Sequence, residues 1–160
     1  MIRGRLERKT EVTDNMKEFS FSIPQEVIVG KGSLKRLPEV AGKLGGEHAF
    51  IISGPHLNKM GIVDSCAKGL VEAGIKADTF TKTEGNPSVE TVEEAAKVFK
   101  ESGADFIVAL GGGSPMDVAK AVGVVAKYGG SITEYEGGGK VPGDIIPLIA
   151  IPTTDRKSVV

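Results

Sequence analysis

Apolar positions along the chain switch repeatedly between a spacing of two and a spacing of three to four. Phe19, Phe21 and Ile23 alternate with polar residues, and after Pro24 the run Glu26-Val27-Ile28-Val29-Gly30 is short, apolar and β-branched. Both segments predict strands, which together would form a small β-hairpin. Ser33 is placed to cap a helix carrying Leu34, Leu37, Val40, Ala41 and Leu44 at helical spacing, closed by Gly45-Gly46. His48-Ala49-Phe50-Ile51-Ile52-Ser53 then predicts a buried strand. The exchange repeats: a helix from Val63 to Ala73 closed by Gly74, a strand from Lys76 to Thr81, a helix from Val89 to Ser102 closed by Gly103, and a strand from Asp105 to Leu110. A further helix is expected from Pro115 to about Tyr128, with Val118, Ala119, Val122 and Val125 inward, then a buried strand from Ile145 to Ile151 interrupted by Pro147. Residues 1–17 mix charge and hydroxyls without apolar period and predict a mobile extension.

Strands and helices this short, in alternation, predict right-handed crossovers. The expected fold class is α/β: a Rossmann-like, doubly wound, mostly parallel sheet with helices on both faces, preceded by the small N-terminal β-hairpin. Ligands of such sheets lie beyond the carboxyl ends of the strands. Three segments arrive there: Ser53-Gly54-Pro55, Gly111 to Ser114, and Pro152-Thr153-Thr154.

The second of these is the most specific signal. Three consecutive glycines, Gly111, Gly112 and Gly113, join an apolar strand to a helix. Removing the side chains lets backbone N–H groups approach an anion, and the positive end of the helix points at the same place. Ser114 with Asp117 three residues on also reads as a capping box, and Pro115 suits a first helical position. Capping explains those three residues but not the glycines, because one glycine suffices for a tight turn and the others add entropy cost on folding. Two better-known phosphate signatures fail here: G-x-G-x-x-G would need glycine in place of Met116, and a P-loop would need a hydroxyl residue in place of Val141.

Composition narrows the partners. A chain of 160 residues, 40% hydrophobic and 26% charged, can build one domain with a real core but not two full domains. Twenty basic against 21 acidic residues give a net charge of −1, so no global field favours nucleic acid or an anionic membrane. The single Cys66 excludes an internal disulfide, and with no signal-peptide pattern or bilayer-spanning run a cytoplasmic setting is expected. His48 and His56 lack metal-ligand spacing to another His, Cys or carboxylate; His48 is expected to begin a strand, and Cys66 to be packed rather than reactive. No acid/base pair or nucleophile constellation stands out, so no catalytic or metal-ligating residue is expected in this chain.

The motif GGGSPMDVAKAVG at 111–123 and PLIAIPTT at 147–154 closely resemble the iron-type (group III) alcohol dehydrogenase family. The opening near 24–33, Asn86-Pro87-Ser88, Gly103-Ala104-Asp105 and Tyr135-Glu136-Gly137 are similar to that family in the same order. The resemblance implies a dinucleotide-binding α/β domain over 18–154. In complete members this domain is joined to a helical domain that holds iron or zinc through an aspartate and three histidines, and those residues have no counterpart here. It implies NAD or NADP as cofactor, a small alcohol or aldehyde as substrate, reversible hydride transfer between the two, and a homo-oligomer. By matching position, Gly112, Gly113 and Ser114 would bind the cofactor pyrophosphate, Gly111 belonging to the same dinucleotide-holding run, with Asp117 near the nicotinamide end as a cap or a hydrogen-bond partner of a sugar hydroxyl. Thr153 and Thr154 would lie beside the phosphates and nicotinamide, and Asn86 close to the cofactor; Lys120 would pair with Asp117 or be solvated.

Ser53-Gly54 stands where many family members carry an acid that binds the adenosine ribose and repels a 2′-phosphate. With Gly54 there, NADP is admitted, and His56 or Lys59 would favour it. Glycerol or glycerol-1-phosphate dehydrogenases, dehydroquinate synthases and a non-catalytic nucleotide-binding module are the rival readings. The first two fit Ser114-Pro115-Met116-Asp117 and the Pro-Thr-Thr strand end less well. After Thr154 the family continues with an Ala-Gly-Thr-Gly-like turn, whereas residues 155–160 are unrelated to it and back-translate to the start of a sequencing adapter. A non-native tail is therefore expected, with the helical metal domain absent and the chain alone inactive.

Overall fold

The computed structural model describes residues 26–153. Its helices are α1 (Leu37–Lys43), α2 (Pro55–Lys59), α3 (Ile62–Glu72), α4 (Val89–Ser102) and α5 (Gly113–Tyr128). Its strands are β1 (His48–Ser53), β2 (Lys76–Phe80), β3 (Phe106–Gly111) and β4 (Leu148–Pro152), with 3-10 helices at Ser33–Arg36 and Ile132–Tyr135. The strands form one four-stranded sheet in the order β2-β1-β3-β4, every neighbouring pair parallel. The expected α/β class with a parallel sheet is what the chain adopts.

Burial explains why the central strands read as continuous apolar runs. Both faces of β1 and β3 are covered, so five of the six residues of β1 and all six of β3 are buried. Phe50, Ile52, Ile107 and Ala109 pack with α4 and α5, among them Val92, Phe99, Val118 and Val122. Their neighbours Ala49, Ile51, Phe106 and Val108 pack on the opposite face with α1 and α3, through Leu37, Ala41, Val63 and Leu70. The sheet is therefore wound on both sides, as right-handed crossovers in opposite directions require. β2, at one edge, keeps Lys76, Asp78 and Thr79 at its surface, a charged border of the kind that discourages edge pairing.

The structure corrects the expected elements at several places. Glu26–Gly30 is not a strand: among the described residues it has no ladder partner, and Val27 and Val29 are exposed at 64% and 91%. The other arm of the expected hairpin, Phe19 to Ile23, lies outside the described residues, as do residues 1–17 and 154–160. The helix expected from Ser33 is divided. Gly32, at φ +82°, begins the 3-10 helix without a side-chain cap. Pro38 cannot donate to Leu34, so the Leu37 N–H bonds the Leu34 carbonyl in a tighter turn and the α-helix starts only there. α2 forms at Pro55–Lys59, where the apolar pattern assigned no element. β4 begins after Pro147, which has no N–H to enter the ladder although its carbonyl accepts from the Ile107 N–H at 2.9 Å.

Candidate functional site

β1 and β3 are the two neighbours from which the chain departs to opposite faces, β1 toward α2 and α3 and β3 toward α5. A crevice opens at such a switch point beyond the carboxyl ends of the strands. Register aligns what stands there: Ser53 is paired with Leu110, and Gly111 with Pro152. Gly54, Gly111 to Ser114 and Thr153 thus converge at one end of the sheet, and Asn86 lies on the β2–α4 connection at that same end. Thr154 lies outside the described residues.

The glycine run has three different geometries. Gly111 sits at φ +144°, and a Cβ there would fall 2.9 Å from the Pro115 Cγ, so both backbone and space demand glycine. Gly112 is extended and takes the N-cap position of α5; Gly113 is the first helical residue, with open space where a Cβ would be. The capping-box alternative therefore fails. No side chain caps α5, Ser114 is its second residue, Pro115 its third rather than its first, and no acid lies in its first turn. The leading N–H groups of a 16-residue helix are left without side-chain acceptors at the crevice. Such an end suits a phosphate group. Asp117 is exposed beyond the first turn, and among the described residues no ion pair joins it to Lys120.

Lateral hydrogen bonds hold the strand ends together. Ser53 is fully buried and its Oγ donates to the Leu110 carbonyl at 2.8 Å, just ahead of the glycine run. The Thr153 N–H donates to the Gly111 carbonyl at 3.0 Å, and the Thr83 N–H to the Ser53 carbonyl at 3.3 Å. Gly54 is half-buried, and a Cβ on it would stand 3.0 Å from the Thr83 carbonyl oxygen. Asn86 is exposed in the left-handed region at φ 55°, and His56 and Lys59 are exposed on α2. Pattern reading missed Thr83. Its only signal was a hydroxyl residue in the polar stretch between Phe80 and Asn86.

The remaining chemistry-bearing residues are structural. His48 begins β1, as expected, at the opposite end of the sheet. Its Nε2 meets the Asp78 carboxylate at 2.7 Å, while its N–H and that of Glu47 donate to the Asp105 carboxylate at 3.1 and 2.9 Å. Cys66 is buried on α3, and burial pushes its thiol pKa up, away from the reactive thiolate. Among the described residues no group of His, Cys, Asp and Glu side chains could hold a metal ion, and no helix is long and apolar enough to cross a membrane.

Residues 24–155 match the family model described as iron-containing alcohol dehydrogenase. The chain belongs to that family. Choline dehydrogenase of Bacillus subtilis (strain 168) is 40% identical over 145 residues, covering 88% of this chain and 36% of that protein. NAD-dependent methanol dehydrogenase of Bacillus methanolicus is 36% identical over 135 residues, 84% of this chain and 35% of that protein. Among solved structures, sulfoacetaldehyde reductase from Bifidobacterium kashiwanohense in complex with NAD+ superposes with a TM-score of 0.77 at 28% identity, covering 86% of this chain and 36% of that one. An iron-containing alcohol dehydrogenase from Thermotoga maritima gives 0.73 at 36% identity, with coverages of 86% and 38%. The chain therefore spans 35–36% of the length of these curated relatives, and the expected family membership stands.

Proposed function

We propose that residues 18–154 are the dinucleotide-binding domain of a metal-dependent alcohol dehydrogenase. The whole enzyme would transfer a hydride reversibly between a nicotinamide cofactor and a small alcohol or aldehyde, in the cytoplasm and as a homo-oligomer. The observation that carries this reading is the uncapped, glycine-led start of α5 facing the crevice between β1 and β3. The backbone of Gly112 and Gly113, with Ser114, holds the pyrophosphate. Gly111 makes the turn that aims them. Asp117, no longer needed as a cap, takes a sugar hydroxyl. Thr153 and Thr154 flank the nicotinamide side, while Gly54 and Asn86 flank the adenosine side. Ser53, with its hydroxyl engaged by Leu110, contributes by fixing the distance between the two strand ends.

The bound nicotinamide supplies the hydride chemistry. The described residues do not fit the family's metal, because they hold no ligand cluster. Their share of the work is binding and orientation, and the chain alone would not turn over alcohol.

Cofactor choice follows from Gly54. No acidic residue follows β1 between Ser53 and Lys59, where a carboxylate would repel a 2′-phosphate, and Lys59 and His56 on α2 lie nearby in sequence, so NADP is accepted. Titration of the isotopically labelled chain with NADH and with NADPH, followed by amide chemical shifts, tests both points. Both cofactors should move the Gly112, Gly113 and Ser114 amides. Absence of those shifts would refute the binding reading, and a preference for NADH of about tenfold or more, roughly 1.4 kcal/mol, would refute the NADP assignment.

A further inference from the structure

One buried polar atom lies outside the groups placed above. Thr83 is 3% exposed, and its Oγ1 has no hydrogen-bond partner among the described residues. A hydroxyl in that condition has given up water without regaining a bond, and a valine of the same shape would be cheaper to bury. A ligand-bound state in which it gains a bond would account for such an atom.

Its position points to that state. Thr83 packs on the carboxyl end of β1: its N–H reaches the Ser53 carbonyl, and its own carbonyl is what a side chain at Gly54 would meet. The segment from 81 to 88 has no regular structure. Between Thr81 and Pro87 it is tied down by that long 3.3 Å bond and by an exposed ion pair between Lys82 and Glu94, and at its end Ser88 caps α4. In the order β2-β1-β3-β4, a dinucleotide with its pyrophosphate on the β3 glycines must lay one nucleoside over β1 and toward the β2–α4 segment. We propose that Thr83 is a further cofactor-binding residue, whose hydroxyl bonds the adenosine half of the dinucleotide once a small shift of the 81–88 segment turns it into the crevice. This rests on the dinucleotide reading of the glycine run.

The test is amide-detected titration of the labelled 160-residue chain and its Thr83→Val and Thr83→Ser variants with 5′-AMP and with NADH, alongside thermal melts. The Thr83→Val variant should bind both probes about five- to tenfold more weakly while melting no lower than the parent, and Thr83→Ser should restore affinity. Equal affinity of Thr83→Val and parent overturns the assignment while leaving the glycine site intact. A loss of affinity matched by a lower melting temperature that Thr83→Ser does not repair also overturns it, in favour of a packing role. If the Gly112 and Gly113 amides of the parent chain do not respond to NADH, the dinucleotide reading fails and this inference fails with it.

Discussion

Gly111 and Gly113 are two residues apart, yet a methyl group means opposite things at the two positions. At Gly111 it meets Pro115 and a backbone conformation closed to L side chains. Gly111→Ala should therefore destabilise the chain by about 1–3 kcal/mol from backbone strain alone, read as a lowered denaturant midpoint. At Gly113 the methyl meets nothing within 4 Å. Gly113→Ala should leave stability unchanged or raise it by up to about 1 kcal/mol, yet weaken dinucleotide binding, because the methyl stands where an anion must approach. Lost stability without lost affinity at Gly113 would contradict the role given to the glycine run. The run itself was legible in the sequence, since it exceeded what a turn requires. Which glycine the turn requires and which leaves open space was not legible, because φ and the approach of Pro115 are set by how α5 docks on β3.

Between elements, Ser53 does for β1 and β3 what backbone bonds do along the rest of the ladder. Its hydroxyl satisfies the Leu110 carbonyl where the two strands part. Ser53→Ala leaves that buried acceptor unpaired and should cost about 1–3 kcal/mol, with a smaller effect for Ser53→Thr; hydrogen exchange should show faster opening at the ends of β1 and β3 before their middles. An unchanged melt would mean that the hydroxyl does not hold the crevice. The element boundaries were legible where glycine or a long apolar stripe marked them, as in α4, which runs from Val89 to Ser102 and is closed by Gly103 as the pattern predicted; its Ser88 N-cap was added by the structure. They were not legible where proline interfered, at Pro38 and Pro147, or where a five-residue helix could form on the back of a strand end, as in α2. The apolar run at 26–30 looked like a strand by composition, but a strand is defined by its partner, and no local pattern supplies one.

Across the molecule the sheet is a shared wall between two cores. Phe50 faces α4 and α5, stacking edge-on with Phe99 at 5.5 Å, while its neighbour Ile51 faces α1 and α3. Because β1 and β3 serve both cores, neither face can melt alone. Phe50→Ala should cost about 3–5 kcal/mol and Ile51→Ala about 2–5, each lowering one common transition seen alike by far- and near-ultraviolet circular dichroism. Two separated transitions would show that the faces fold independently. Hydrophobic period alone determined the alternation of β and α units and the parallel sheet buried on both faces, and the run Gly111 to Gly113 marked the turn from β3 into α5, because each depends only on which side chains must leave water, which are absent and how they are spaced. Tertiary structure decided the rest. Strand order placed the switch point between β1 and β3, docking of α5 removed the cap that the spacing of Ser114 and Asp117 suggested, and the packing of the β2–α4 segment on β1 buried the Thr83 hydroxyl. These outcomes come from contacts between residues far apart in the chain, which spacing along it does not encode.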